Sequence, residues 1–413
     1  MLTAILPVRS LLLAIFMLMA GGGFLSTLVS VRLERAGSSA VFIGLVATAY
    51  FAGLVAGSLR VPQLVRRVGH IRAFAAFVAL LSASTLTYAI HRDPLLWGAL
   101  RFIDGLCVAG VFVCLESWLN ERAEGATRGS VLAGYMIALY SGQAVGQFLL
   151  NLSETKPSMP FLVASILISL SAIPVVLTRI SAPLPDDGAA LPVRDLYAAS
   201  PLGIVGATIT GLMLGAFYAL GPVFVRRLGM DLSATALFMS VVILGGVALQ
   251  WPLGRLSDRF DRRKVIVGVL AGALLASLGI AVLASQGPAL FALAALFGGL
   301  SFALYPLCVA HTNDHLAPAQ RVAATGGLVL LYSAGAAAGP MAGAAAVTVA
   351  GPAGLFFFIA LCAGGTLVFA FWRQLRALPV PLDQQQNYQV LPRTTPVAAT
   401  LDPRADEELE EKP

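Results

Sequence analysis

Charge is scarce in this chain of 413 residues: Asp, Glu, Lys and Arg together make up 12% of it, against about 25% in soluble proteins. Lysine is rarer still, limited to Lys156, Lys264 and Lys412. None of the three follows a G-x-x-x-x-G segment, so there is no phosphate loop to couple the chain to ATP hydrolysis. The four cysteines, Cys107, Cys114, Cys308 and Cys362, show no C-x-x-C spacing and fall inside apolar stretches, which argues against a disulfide framework or a zinc site. Histidine also occurs four times. His311 and His315 are one helical turn apart, but no third ligand accompanies them, so no metal is expected. No arrangement of Ser, His and Asp suggests an enzyme, and no cofactor motif is present.

Apolar residues fill the space that charge leaves, at 58% of the chain with a mean hydropathy of +0.84. Runs free of Asp, Glu, Lys and Arg cover 10–31, 36–59, 73–91, 129–153, 157–178, 196–225 and 232–254. Each is close to or above the roughly 20 residues that cross a bilayer. Runs 265–313 and 322–372 are double length, and the turn signals Ser285-Gln286-Gly287-Pro288 and Gly351-Pro352-Ala353-Gly354 divide each into two helices. A twelfth span is 95–118, which carries Arg101, Asp104 and Glu116 within an apolar stretch. The sequence therefore predicts an all-α membrane protein with twelve transmembrane helices.

The helices repeat. Gly105, Asn120, Glu121 and Arg128 recur as Gly298, Asn313, Asp314 and Arg321, each displaced by 193 residues. This predicts two pseudo-symmetric six-helix halves, over 1–178 and 203–372, with a mostly irregular linker over 179–202 rich in Pro, Ala and Asp. Residues 373–413 are polar, without periodicity, and are expected to be a disordered tail. With the N-terminus in the cytoplasm, Arg9, the even-numbered turns and the start of the tail hold most of the Lys and Arg, which places both termini inside. The net charge of +6 then reflects orientation and anionic membrane lipid rather than nucleic acid.

After the eighth helix, Gly254 to Lys264 reads GRLSDRFDRRK and closely resembles the G-x-L-x-D-R-x-G-R-R-K signature of the major facilitator superfamily. The resemblance extends over residues 10–372 and implies a monomeric secondary transporter of a poorly characterised bacterial branch, in the cytoplasmic membrane, moving a small organic solute by alternating access. It assigns gating roles to Gly254, Asp258, Arg259, Arg262 and Arg263. Glu121 with Arg128, and Asp314 with Arg321, look like the superfamily's cytoplasmic charge relay. The matching loop of the first half, Gly57 to Arg72, keeps Gly57, Arg66, Arg67 and Gly69 but contains no acid, which should leave the halves energetically unequal. Gly142-x-x-x-Gly146 and Gly335-x-x-x-Gly339-Pro340 are similar to the glycine and proline signature of the family's antiporters, although the proline here lies in helix 11 rather than helix 5.

Arg101 with Gly105 matches the helix 4 arginine that family members use in proton coupling. Charge at the bilayer centre costs about 2.5–3.5 kcal/mol per residue, so Arg101 and Asp104 must pair or line a wet cavity. Asp104 and Glu116 are the carboxylates within the expected spans and are the candidates for carrying a proton. Tyr50, Tyr140, Gln143, Gln147, Tyr218, Gln250, Tyr305 and Tyr332 are the candidate solute contacts. The scarcity of charge suggests a neutral, amphipathic or singly anionic solute. An uncoupled facilitator and a transport-dead sensor are the rival readings.

Overall fold

The computed structural model describes residues 5–123, 125–178, 191–283, 287–376 and 378–406. Every regular element among them is helical. Among the described residues, eleven helices are long and apolar enough to cross a membrane: α1 (Leu6–Arg35), α2 (Ala40–Val68), α3 (His70–Ile90), α4 (Pro94–Arg122), α6 (Met159–Val176), α7 (Pro201–Arg227), α8 (Leu232–Arg259), α9 (Arg262–Val282), α10 (Pro288–Asn313), α11 (Pro318–Ala350) and α12 (Gly354–Arg376). The helix between the fourth and fifth of these, α5 (Gly125–Gln147), has 23 residues and packs against α1 and α8. The expected turn at Ser285 and Gln286 and most of the expected linker, 179–190, lie outside the described residues.

Side-chain caps set several of these helix starts. Asp93 accepts from the Leu95 amide at 2.8 Å and Pro94 opens α4, while Asp231 accepts from Ala234 at 2.7 Å at the head of α8. Ser200 does the same for α7 through Gly203. The linker is less irregular than its composition suggests, because a short helix, Val193–Ala199, precedes α7 and buries Leu196 against Gly327 of α11. Helix α1 is interrupted at Gly23-Phe24, which form a turn between two helical segments.

Glycine sets the helix spacing in a repeating way. A Cβ on Gly105 of α4 would lie 1.9 Å from the Tyr50 carbonyl oxygen of α2, and one on Gly298 of α10 would lie 2.0 Å from the Val242 carbonyl of α8. Close backbone approach of this kind replaces the hydrophobic drive that lipid cannot supply between helices.

The first six and the last six helices meet on the face opposite the chain ends. There Thr48 of α2 donates to the Ala337 carbonyl of α11 at 2.9 Å, and Ser240 of α8 donates to the Ala144 carbonyl of α5 at 2.8 Å. Gly44 of α2 lies against the Pro340 carbonyl of α11. Glu34 and Arg227, at the ends of α1 and α7, form an ion pair of 2.7 Å on the same face.

On the face that carries the chain ends, the two groups of helices are separated by the chain's own tail. Residues 378–406 are not disordered as their composition predicts. Leu391, Ala398, Ala399 and Leu401 are buried, and the helical turn Pro396–Leu401 packs on α4 and α11. Composition misses this because the tail has no core of its own and uses the bundle's.

Candidate functional site

Asp93 and Pro94 fix the start of α4 and hence the depth of its charges. At 1.5 Å per residue, Asp104 lies about 15 Å along the helix and Glu116 about 33 Å. Asp104 is 1% exposed and accepts from the Ser84 hydroxyl at 2.6 Å, the Tyr88 hydroxyl at 2.7 Å and Arg101 Nη1 at 3.4 Å. The Arg101 guanidinium donates to the Ser26 hydroxyl at 2.5 Å and lies 4.2 Å from the Tyr50 ring centroid. Both charges expected in mid-membrane are thus paired and solvated by hydroxyls, the condition for keeping them in a low-dielectric interior. Ser84 and Tyr88 are four residues apart, so α3 presents both on one face.

Glu116 has a different environment. It is fully buried and accepts from the Tyr135 hydroxyl at 2.7 Å and from the hydroxyls of Thr394 and Thr395. No cation is bonded to it among the described residues. Two of its three donors come from the tail.

Between α1, α2, α4, α5, α7 and α11 lies a central cavity with a free volume of about 160 Å³. Ser26, Tyr50, Tyr140, Gln143, Tyr218 and Tyr332 supply its polar surface, and Leu18, Leu54, Phe112 and Leu139 much of its apolar wall. Pro392, Arg393 and Thr394 form one side of it. The Arg393 guanidinium lies 4.3 Å from the ring centroid of Phe302 and 5.4 Å from that of Tyr332.

Of the expected solute contacts, Tyr50, Tyr140, Gln143, Tyr218 and Tyr332 line the cavity. Gln147, Gln250 and Tyr305 stand behind it. Gln147 donates to the Gln143 carbonyl at 3.4 Å and Gln250 to the Phe302 carbonyl at 3.5 Å. The Tyr305 ring packs edge-on against Tyr332 with a centroid separation of 5.3 Å, and its hydroxyl is buried without a hydrogen-bond partner.

The residues expected to gate converge on the tail. Arg262 is 1% exposed and donates to both Asp314 oxygens at 2.6 Å, to Asp258 at 3.3 Å and to the Gln386 carbonyl at 2.5 Å. The Gln386 and Tyr388 amides return hydrogen bonds of 2.8 Å to Asp314 and Asp258. Asp314 therefore pairs with Arg262 rather than with Arg321, because α9 starts beside the end of α10. Burial raises the Asp314 carboxyl above the ordinary carboxylate value, and Arg262 and the Gln386 amide pull it back.

Gly254 admits the Tyr388 ring of the tail rather than a neighbouring helix: a Cβ there would lie 2.1 Å from that ring. Arg263 pairs with Asp261 at 3.0 Å, and Arg259 is exposed. Glu121 is exposed at the end of α4, whereas Arg128 is buried and donates to the Thr400 carbonyl at 2.9 Å and the Ala123 carbonyl at 3.4 Å.

Sequence reasoning did not single out Ser26, Ser84, Tyr88, Tyr135, Phe302 or the tail residues Arg393, Thr394 and Thr395. The four-residue spacing of Ser84 and Tyr88, which puts both on one helical face, was the available signal. The tail offered none.

Known proteins with related sequences or folds share this architecture. The family model described as Major Facilitator Superfamily matches residues 11–298 and 203–401. An uncharacterized MFS-type transporter, YcaD, of Salmonella enteritidis PT4 is 30% identical over 342 residues, which are 81% of this chain and 87% of that protein. The solved nucleoside transporter NupG superimposes with a TM-score of 0.72 at 13% identity, covering 88% of this chain and 97% of its own. A bacterial homolog of the human lysosomal transporter Spinster, in an inward-facing and occupied conformation, gives 0.72 at 14% identity, covering 92% and 97%. At these identities the two structures speak for the fold alone.

Proposed function

The chain belongs to the major facilitator superfamily, and on that premise we propose that it is a secondary transporter that moves a small organic solute by alternating access, driven by protons. The observation that carries this reading is the one-sided contact between the first six and last six helices. They touch through Thr48 with Ala337, Ser240 with Ala144 and Glu34 with Arg227 on one face, and enclose a central cavity that the tail residues Pro392, Arg393 and Thr394 wall from the other side. Breaking these contacts while the opposite ends close would expose the same cavity to the other side.

The distribution of Lys and Arg supports a cytoplasmic position for both termini. The face that carries the chain ends is then the inner one, the described state is inward-facing, and the membrane is the bacterial cytoplasmic membrane. The chain works as a monomer, each molecule enclosing its own cavity.

Asp104 is the leading proton carrier. Its charge is held by Arg101, Ser84 and Tyr88, and a shift of α4 against α3 that weakens any of these would favour uptake of H⁺. Arg101 connects this carboxylate to the cavity wall through Tyr50. Glu116 is the second carrier, nearer the inner face. Tyr50, Gln143, Tyr218 and Tyr332 contact the solute directly, and Gln147, Gln250 and Tyr305 support them. Asp258, Arg262 and Asp314 form the inner latch, with Gly254, Arg259, Arg263, Glu121, Arg128 and Arg321 around it.

Solute uptake by proteoliposomes with and without an imposed pH gradient tests the proposal. Uptake should accelerate with the gradient, and the double variant Asp104→Asn with Glu116→Gln should lose that acceleration. Uptake that ignores the gradient in the unmodified protein would make it an uncoupled facilitator. Unchanged acceleration in the double variant would remove the proton assignment.

A further inference from the structure

The tail does more than fill space in the cavity: it inserts one particular chemical group. The Arg393 guanidinium lies over the faces of Phe302 and Tyr332. Aromatic faces attract a cation within about 6 Å of the ring centroid, more strongly when water is excluded. Phe302 also packs against Tyr140 and Tyr218, with centroid separations of 5.6 and 6.5 Å, so the rings form one continuous surface.

The charges of the interior point the same way. Arg101 and Asp104 neutralise each other. Glu116 has only hydroxyls as bonded partners among the described residues. When the tail withdraws, Glu116 loses the donors of Thr394 and Thr395 and the rings lose their cation. The Tyr305 hydroxyl, buried without a partner beside Tyr332, supplies a further unused polar group behind the cage.

We propose that the central cavity is a binding site for an organic monocation with a flat guanidinium- or amidinium-type head group, and that Arg393 occupies it as an intramolecular ligand. The proposal rests on the reading of this cavity as the transport cavity. The tail and the solute then compete, and the chain opens to solute only as the segment around Arg393 leaves. The lock has three attachment points along the tail: Gln386 and Tyr388 on Asp314 and Asp258, Arg393 in the cage, and Thr394 and Thr395 on Glu116.

Benzamidinium, benzamide and benzoate have nearly the same shape and differ in charge, so they serve as probes. Their binding is measured by isothermal titration on the purified full-length protein and on Arg393→Ala and Arg393→Gln, each first checked for monodispersity. A ligand's apparent affinity is reduced by the fraction of molecules whose site is free. Both variants should therefore bind benzamidinium at least ~10-fold more tightly than the unmodified chain. Benzamide and benzoate should bind at least ~10-fold more weakly than benzamidinium, and adding Tyr332→Leu should cancel the gain. In the unmodified chain, saturating benzamidinium should speed thermolysin cleavage near Leu391.

Equal benzamidinium affinity in all three proteins, a preference for benzamide or benzoate, or no binding at all would overturn the proposal. Proteoliposome flux separates this failure from failure of the transport reading. Uptake of neutral or anionic solutes by the Arg393 variants, without benzamidinium binding, would sink the cation site and leave transport standing. Benzamidinium binding without flux of any solute would do the reverse.

Discussion

Glu34 and Arg227 are 193 residues apart and form a two-pronged ion pair, with Arg227 Nε 2.7 Å from one carboxylate oxygen and Nη2 3.1 Å from the other. The offset is the one that relates Gly105 to Gly298 and Asn120 to Asn313. A duplicated helix end has thus diverged to opposite charges at equivalent positions, so that α1 and α7 attract where identical copies would repel. The pair sits on the face where the first six and last six helices touch, and it must break for that face to open.

Charge reversal at both positions tests this directly. The pair is partly exposed, with side chains 29% and 19% accessible, and such pairs contribute about 0.2–1 kcal/mol. Glu34→Arg alone should raise the population open on that face by roughly 1.4- to 5-fold. Glu34→Arg with Arg227→Glu should restore the original balance. Pulsed dipolar distances between spin labels on the outer turns of the two helix groups report the populations, and a single reversal that shifts nothing would show that helix packing alone closes this face.

Asp104 and Arg101 allow a stability test independent of transport. Removing one partner of a buried pair leaves an uncompensated charge and costs about 3–5 kcal/mol, whereas replacing both with apolar residues is often neutral. Asp104→Ala should lower the melting temperature of the detergent-purified protein substantially. Arg101→Met with Asp104→Leu should recover most of that loss. A double variant no better than the single one would mean that the hydroxyls of Ser26, Ser84 and Tyr88, left without their charged partners, dominate the cost.

The repeated glycines make a paired prediction. A Cβ at Gly105 or Gly298 would come within 2.0 Å of a facing carbonyl oxygen, whereas nothing lies within 4 Å of one at Gly268. Overpacking costs about 1–3 kcal/mol, occasionally more. Gly105→Ala and Gly298→Ala should destabilise by similar amounts in thermal unfolding, and Gly268→Ala should leave stability unchanged or slightly raised. A large difference between the first two would mean that the equivalent packing sites have lost their equivalence.

The helical spans were legible in the sequence because lipid imposes a strict rule: runs of about 20 apolar residues have few other uses. Arg101 and Asp104 were legible for the same reason, since charge in such a run demands a partner. Their solvating hydroxyls were not, because Ser26 lies on α1 and Ser84 and Tyr88 on α3, far from Asp104 along the chain, and serine in a membrane helix is commonplace. The docked tail was illegible because its order is borrowed. Nothing within residues 378–406 could bury Leu391 or Leu401 without α4 and α11.

Glu116 ties the tail to the membrane interior, and its substitution should release the tail without unfolding the bundle. It accepts from the hydroxyls of Thr394 and Thr395, and hydrogen bonds contribute about 0.5–1.5 kcal/mol each. Glu116→Gln weakens both while preserving shape, so protection of the tail against thermolysin should fall by at least ~10-fold. Thr394→Val with Thr395→Val should give the same exposure from the other side of the contact. Gly254→Ala, which would place a Cβ 2.1 Å from the Tyr388 ring, should loosen the nearer attachment point and leave Thr394 and Thr395 in place. If Glu116→Gln leaves the tail as protected as before, the docking energy resides in the Arg262, Asp258 and Asp314 cluster, and Gly254→Ala should then be the variant that frees it.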